Sequence, residues 1–156
     1  MSSETDRARL FAYKLMTYRP RSESELRRRL ECSGYLSDVV DSVMLQLTEL
    51  GYIDDKAFAR NWISCRSGKK GSYGLRQELL AKGIKIDVIN ASLAEFSPED
   101  ELCSALKIAE KKITQCGGSC PYPRLAGFLK RRGFSYTVIN SVCATLGTGC
   151  DSSVQP

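Results

Sequence analysis

Seven positions recur with the same internal spacing in three stretches of the chain. The first stretch carries Leu26, Leu30, Gly34, Tyr35, Val39, Val40 and Asp41. The second carries Leu75, Leu79, Gly83, Ile84, Val88, Ile89 and Asn90, and the third Leu125, Leu129, Gly133, Phe134, Val138, Ile139 and Asn140. The copies start 49 and 50 residues apart and share the pattern L-x3-L-x3-G-[YIF]-x3-V-[VI]-[DN]. A repeat of this period is one supersecondary unit used three times, and it constrains the fold more tightly than any other feature.

The unit can be read physically. Two leucines four residues apart lie on one helix face. The glycine four residues further on stands where a helix ends in the left-handed conformation that only glycine adopts without cost. The large apolar residue after it turns the chain back, and a second helix buries the Val-Val or Val-Ile pair. Leu26, Leu30, Val40, Val43 and Leu47 are expected to form one core.

Each pair of helices follows another helical pattern. In the first copy it runs from Asp6 to Tyr18 and carries Leu10, Phe11, Tyr13, Leu15 and Met16. In the second, Phe58, Ala59, Trp62 and Ile63 share a face behind Asp54 or Asp55 as N-cap; in the third, Leu102, Ala105, Leu106, Ala109 and Ile113 keep the helical period. Ser22 to Glu25 reads as a capping box, and Ser97-Pro98 followed by Glu99, Asp100 and Glu101 as a helix start. No stretch alternates with the period of a strand. The fold class that follows is all-α: three tandem three-helix repeats, about nine helices, forming an elongated, curved, solenoid-like body. Expected boundaries are 1–52, 53–96 and 97–146, with a flexible tail over 147–156.

Composition narrows the function. The 156 residues include no histidine, which removes histidine-based general-base catalysis and histidine metal ligands. Seven cysteines without a paired framework suit reduced thiols, the polar segment Met1–Asp6 has no apolar signal region, and no apolar run nears the roughly 18 residues that span a bilayer. We expect a cytoplasmic monomer without membrane contact, catalytic residue, cofactor or metal. Cys116 and Cys120 lack a second pair at zinc spacing and read as a reduced loop.

The net charge is +5, and the excess of basic over acidic side chains lies in the middle and end of the chain. Arg27, Arg28 and Arg29 fall between Leu26 and Leu30, so at least two face solvent; Lys130, Arg131 and Arg132 repeat that placement before Gly133. Arg60, Arg66, Lys69, Lys70, Arg76 and Lys82 flank the central apolar positions. Such residues serve either as solvated helix faces or as contacts to phosphates and acidic protein surfaces. The candidate binding set is Arg27, Arg28, Arg60, Arg66, Lys69, Lys70, Arg76, Lys82, Lys130, Arg131 and Arg132. Tyr52, Phe58 and Trp62 could stack on bases, but their spacing favours core packing, and Trp62→Ala is then expected to cost about 3–5 kcal/mol.

Gly51-Tyr52-Ile53-Asp54-Asp55 with Phe58, Ala59, Trp62 and Arg66 resembles the central signature of the RecX family of recombination regulators. Gly74 to Leu79, closed by Lys82-Gly83-Ile84, is similar to the family's second-repeat motif, and Arg19 to Leu30 to its first. The likeness runs over about residues 6–146. The third copy departs from it with Cys103, Cys116, Cys120, Cys143, Cys150 and a Gly-Gly loop, and only Lys69 and Lys70 stand where the family often has a longer basic stretch. The resemblance implies three tandem three-helix units and a modulator of the recombinase RecA that lies in the groove of the RecA–DNA filament, depresses ATP hydrolysis and strand exchange, and limits filament growth. Weak contact with single- or double-stranded DNA would accompany it.

The rival reading is a helix-turn-helix DNA reader without RecA specificity. Its recognition helices would carry Ser37, Asp38 and Asp41 in the first copy and Asp87 in the second, and carboxylates in a major groove meet phosphate repulsion. Only the third, with Tyr136, Thr137 and Asn140, has plausible base readers.

Overall fold

The spacing of the repeated leucines and glycines has a direct counterpart in the computed structural model, which describes residues 3–148. Among these residues are nine α-helices and no strand: α1 (Glu4–Tyr18), α2 (Glu23–Cys32), α3 (Ser37–Glu49), α4 (Asp55–Arg66), α5 (Ser72–Ala81), α6 (Ile86–Ala94), α7 (Pro98–Gln115), α8 (Tyr122–Arg131) and α9 (Tyr136–Thr145).

Helices α2, α5 and α8 end in the same way. The hinge glycines have φ of 89° at Gly34, 75° at Gly83 and 83° at Gly133. The amide after each glycine returns to the second leucine of the pattern: Tyr35 to the Leu30 carbonyl at 3.4 Å, Ile84 to Leu79 at 3.1 Å, and Phe134 to Leu129 at 3.2 Å. The glycine amides bond one residue nearer, to Glu31, Leu80 and Lys130. This is the Schellman closure, and it explains why leucine and glycine keep a four-residue spacing.

The starts are equally local. Ser22 and Glu25 form the expected capping box, Ser97 caps α7 with Pro98 at its first turn, and the Asp54 carboxylate accepts the amides of Lys56 and Ala57.

Contacts gather the chain into two compact units, one of Met1–Trp62 with Leu79–Asn90, the other of Ile63–Glu78 with Ala91–Pro156. The division passes through α4, α5 and α6. In the first unit Leu26, Leu30, Val40, Val43 and Leu47 are buried together, as expected, with Ala8, Ala12, Leu15, Met44 and Ile53. In the second, Ala105, Ala109, Leu125, Leu129, Phe134, Ile139 and Val142 form the core with Cys120 and Cys143.

In the first helix Leu15 is buried and Phe11, Tyr13 and Met16 pack against the core as expected, but Leu10 does not. Leu10 is 63% exposed, and the alanines Ala8 and Ala12 are fully buried instead. Ala59 and Ala109 are buried at matching places in α4 and α7. A small side chain lets neighbouring helix backbones approach, and a hydrophobicity reading favours the larger residue. Trp62 is only partly buried and Tyr52 is 59% exposed, whereas Phe58 is buried. Gly147 and Thr148 still bond back to α9; the rest of the expected flexible tail, including Cys150, lies outside the described residues.

Candidate partner interface

Neighbouring acids hold at least four of the eleven candidate basic residues. Arg27 is bonded to Asp41, which raises its pKa. Lys82 lies 2.9 Å from the Glu25 carboxylate and 5.1 Å from the centre of the Trp62 ring. Burial pushes the Glu25 carboxyl up, but hydrogen bonds from Arg19 and Lys82 outweigh it and hold the group below the usual carboxylate range. Arg66 and Lys70 share Glu78, at 2.7 and 3.6 Å. These four serve the fold at least as much as a surface.

The other seven differ in exposure. Arg28 is exposed beside Arg19, Arg21 and Arg29 in one cleft of the first unit. Arg60 is exposed on α4, and Arg76 is half-buried on α5. Lys69, Lys130 and Arg131 are exposed in the second unit. Arg132 donates to the Lys69 carbonyl at 3.3 Å and lies 4.9 Å from the centre of the Phe128 ring. The central basic residues therefore do not share one compact unit: Arg60 and Lys82 lie in the first, Arg66, Lys69, Lys70 and Arg76 in the second.

Three lysines that the repeat pattern did not single out join this second group. Lys107, Lys111 and Lys112 on α7 line a cleft of about 520 Å³ together with Lys69, Arg132 and Phe128. Their signal in the sequence was the i, i+4 spacing of Lys107 and Lys111 on the longest helix. Among the described residues no group of acids, cysteines or histidines could hold a metal ion, and no helix is long and apolar enough to cross a membrane. Cys116 and Cys120 are free thiols; burial, then a side-chain hydrogen bond with Cys116, pushes the Cys120 pKa up.

Comparison with known proteins fixes the family. Residues 8–47 match the family model described as RecX, first three-helix domain, and residues 54–93 match RecX, second three-helix domain. The regulatory protein RecX of Mycobacterium ulcerans is 36% identical over 143 residues, covering 87% of this chain and 82% of its own. The chain belongs to the RecX family. Another RecX, from Chlorobium phaeobacteroides, is 35% identical and covers 85% of this chain and 89% of its own. The crystal structure of RecX from Lactobacillus salivarius has the same fold, with a TM-score of 0.85 at 19% identity over 94% of this chain and 99% of that one. A second RecX crystal structure superposes at 0.81, with 25% identity over 90% and 73% of the two chains. In this RecX family member the two matched segments contain Lys69, but Lys107, Lys111, Lys112 and Arg132 lie beyond both.

Proposed function

We propose that this RecX family member is a cytoplasmic, monomeric regulator that binds RecA or the RecA–DNA filament in its helical groove and inhibits ATP hydrolysis, strand exchange and filament growth. The observation that carries the reading is likeness to regulatory RecX proteins over most of both chains. The charge distribution supports it: Arg28, Arg60, Lys69, Lys130 and Arg131 present cations from exposed positions, as contact with phosphates or an acidic recombinase surface requires.

Sequence-specific reading of DNA is the weaker alternative. Asn140, a plausible base reader of the third copy, accepts a hydrogen bond from the Tyr122 hydroxyl at 3.1 Å. An adenine edge would have to share that acceptor with Tyr122, which already orients the amide.

The test is ATP hydrolysis by RecA on single-stranded DNA, titrated with this protein at two salt concentrations. A progressive fall in rate, weaker at the higher salt, is expected. An unchanged rate at saturating protein rejects the proposal, and strong preference for one duplex sequence would favour the alternative.

A further inference from the structure

Lys107, Lys111 and Lys112 of α7, Lys69 of the α4–α5 loop and Arg132 at the end of α8 face one cleft, and no carboxylate lines it. Among the described residues none of these five cations lies within ion-pair distance of an acid. Elsewhere in the chain Arg9, Arg19, Arg27, Arg66, Lys70 and Lys82 are each paired. Lys112 stands 5.1 Å and Arg132 4.9 Å from the centre of the Phe128 ring, so the ring face positions two of the charges. Like charges gathered in a cleft repel each other and focus a positive potential there, and a polyanion relieves the repulsion.

We propose that this cleft binds the phosphodiester backbone of a single nucleic-acid strand. Four of the five cations are lysines, compact point charges that neutralise phosphates and release their counterions. A strand carries one charge about every 3.4 Å and is flexible enough to follow the cleft of about 520 Å³, whereas a duplex, with a persistence length of about 150 bp, resists such bending. Phe128 is engaged by two cations rather than left open for a base, so recognition goes through phosphates and is indifferent to sequence. The assignment deepens the filament reading and rests on it for why a strand is at hand.

The test uses the full chain without recombinase. Fluorescence anisotropy of labelled oligo-dT and of a mixed-sequence oligonucleotide is read at about 50 and 200 mM salt. The triple variant Lys107→Gln, Lys111→Gln, Lys112→Gln should bind both about tenfold or more weakly, with a salt slope smaller by about 2, near 0.7 for each lost contact. Unchanged affinity and slope overturn the proposal. A control with Lys14→Gln, Lys56→Gln and Lys85→Gln carries the same change in net charge, and an equal loss there also overturns it. The triple arginine variant at 107, 111 and 112 should keep binding, which separates loss of charge from loss of fold; loss there with native helicity sinks the proposal. Sodium tripolyphosphate should displace the oligonucleotide. If tripolyphosphate binds and the oligonucleotides do not, the strand assignment falls. Cleft-dependent strand binding alongside an unchanged RecA ATPase supports the cleft and rejects the filament reading.

Discussion

The Glu101 carboxylate of α7 accepts two hydrogen bonds from Ser72 at the start of α5, from its amide at 2.9 Å and from its hydroxyl at 3.0 Å. The first amides of a helix have no partner within it, and the positive end of the helix dipole favours a carboxylate there. The first unit repeats the device: Asp55 of α4 accepts the amide of Glu23, the first residue of α2, at 2.9 Å. Glu101 is buried, so removal of its carboxylate leaves donors unsatisfied. Glu101→Ala should cost about 1.5–3 kcal/mol, and Glu101→Gln, which keeps an acceptor, less. Urea unfolding measures both; a cost below about 0.5 kcal/mol for the alanine variant would show that this cap does not hold the two helices together.

Gly34 and Gly133 end equivalent helices with similar φ, yet their surroundings differ. A side chain at Gly34 meets open space, whereas at Gly133 it would overlap the backbone of Gly74, where the Tyr73 and Gly74 amides bond to the Gly133 carbonyl. Gly34→Ala should cost the left-handed penalty alone, about 1–2 kcal/mol. Gly133→Ala should cost distinctly more. Equal shifts in denaturation midpoint would contradict the backbone contact.

Phe58 and Trp62 stack with ring centres 5.8 Å apart, but only Phe58 is fully in the core, at 7% exposure. Phe58→Ala should cost about 3–5 kcal/mol. Trp62→Ala should fall below that range, losing part of the burial and a cation–π contact to Lys82 worth about 0.5–1 kcal/mol. The reversed order would place Trp62 deeper than it stands here.

Acid should weaken the fold through Glu25. Its pKa is lowered in the folded protein, so its contribution is present above the unfolded value of about 4.3 and disappears as pH falls through the lower folded value. Glu25→Gln should therefore differ from the parent most near neutrality and converge with it in acid. Asp55 works in the opposite sense. Burial raises its pKa, so its contribution is present in acid and is lost as pH rises through the folded value. Asp55→Asn should make the acid loss steeper. Unfolding midpoints from about pH 3, roughly one unit below the ordinary carboxylate values, up to about pH 7 check both variants.

Charge reversal should separate two kinds of basic residue. Lys69 is exposed and has no acid partner, so Lys69→Glu should lower inhibition of RecA without altering the unfolding midpoint. Arg66→Glu sets a second carboxylate beside Glu78 and should reduce both. Parallel titrations and melts decide it: a loss of stability in Lys69→Glu would make that residue structural.

Much of this protein was legible in the chain because its instructions are local. A leucine four residues before a glycine marks the Schellman turns that end α2, α5 and α8, and a serine three residues before a glutamate closes a helix start at Ser22 as it does in isolated helices. What faces inward was less legible. Leu10 is exposed while Ala8 and Ala12 on the same helix are buried, because a small side chain lets neighbouring backbones approach, and Tyr52 beyond α3 is exposed as well. The lysines of α7 gave little sign of their company with Lys69 and Arg132, which stand 38 residues before Lys107 and 20 residues after Lys112.

Among the described residues the chain by itself therefore determined the nine helices, the glycine-hinged ends of α2, α5 and α8 and the thrice-used hairpin, since those turns are settled by neighbours within about five residues. Tertiary structure alone decided that Glu101 caps another helix, that Arg66 and Lys82 are held by Glu78 and Glu25, and that five cations share a cleft without an acid. Those outcomes depend on distances between residues remote in sequence, and such distances are set by packing rather than by periodicity.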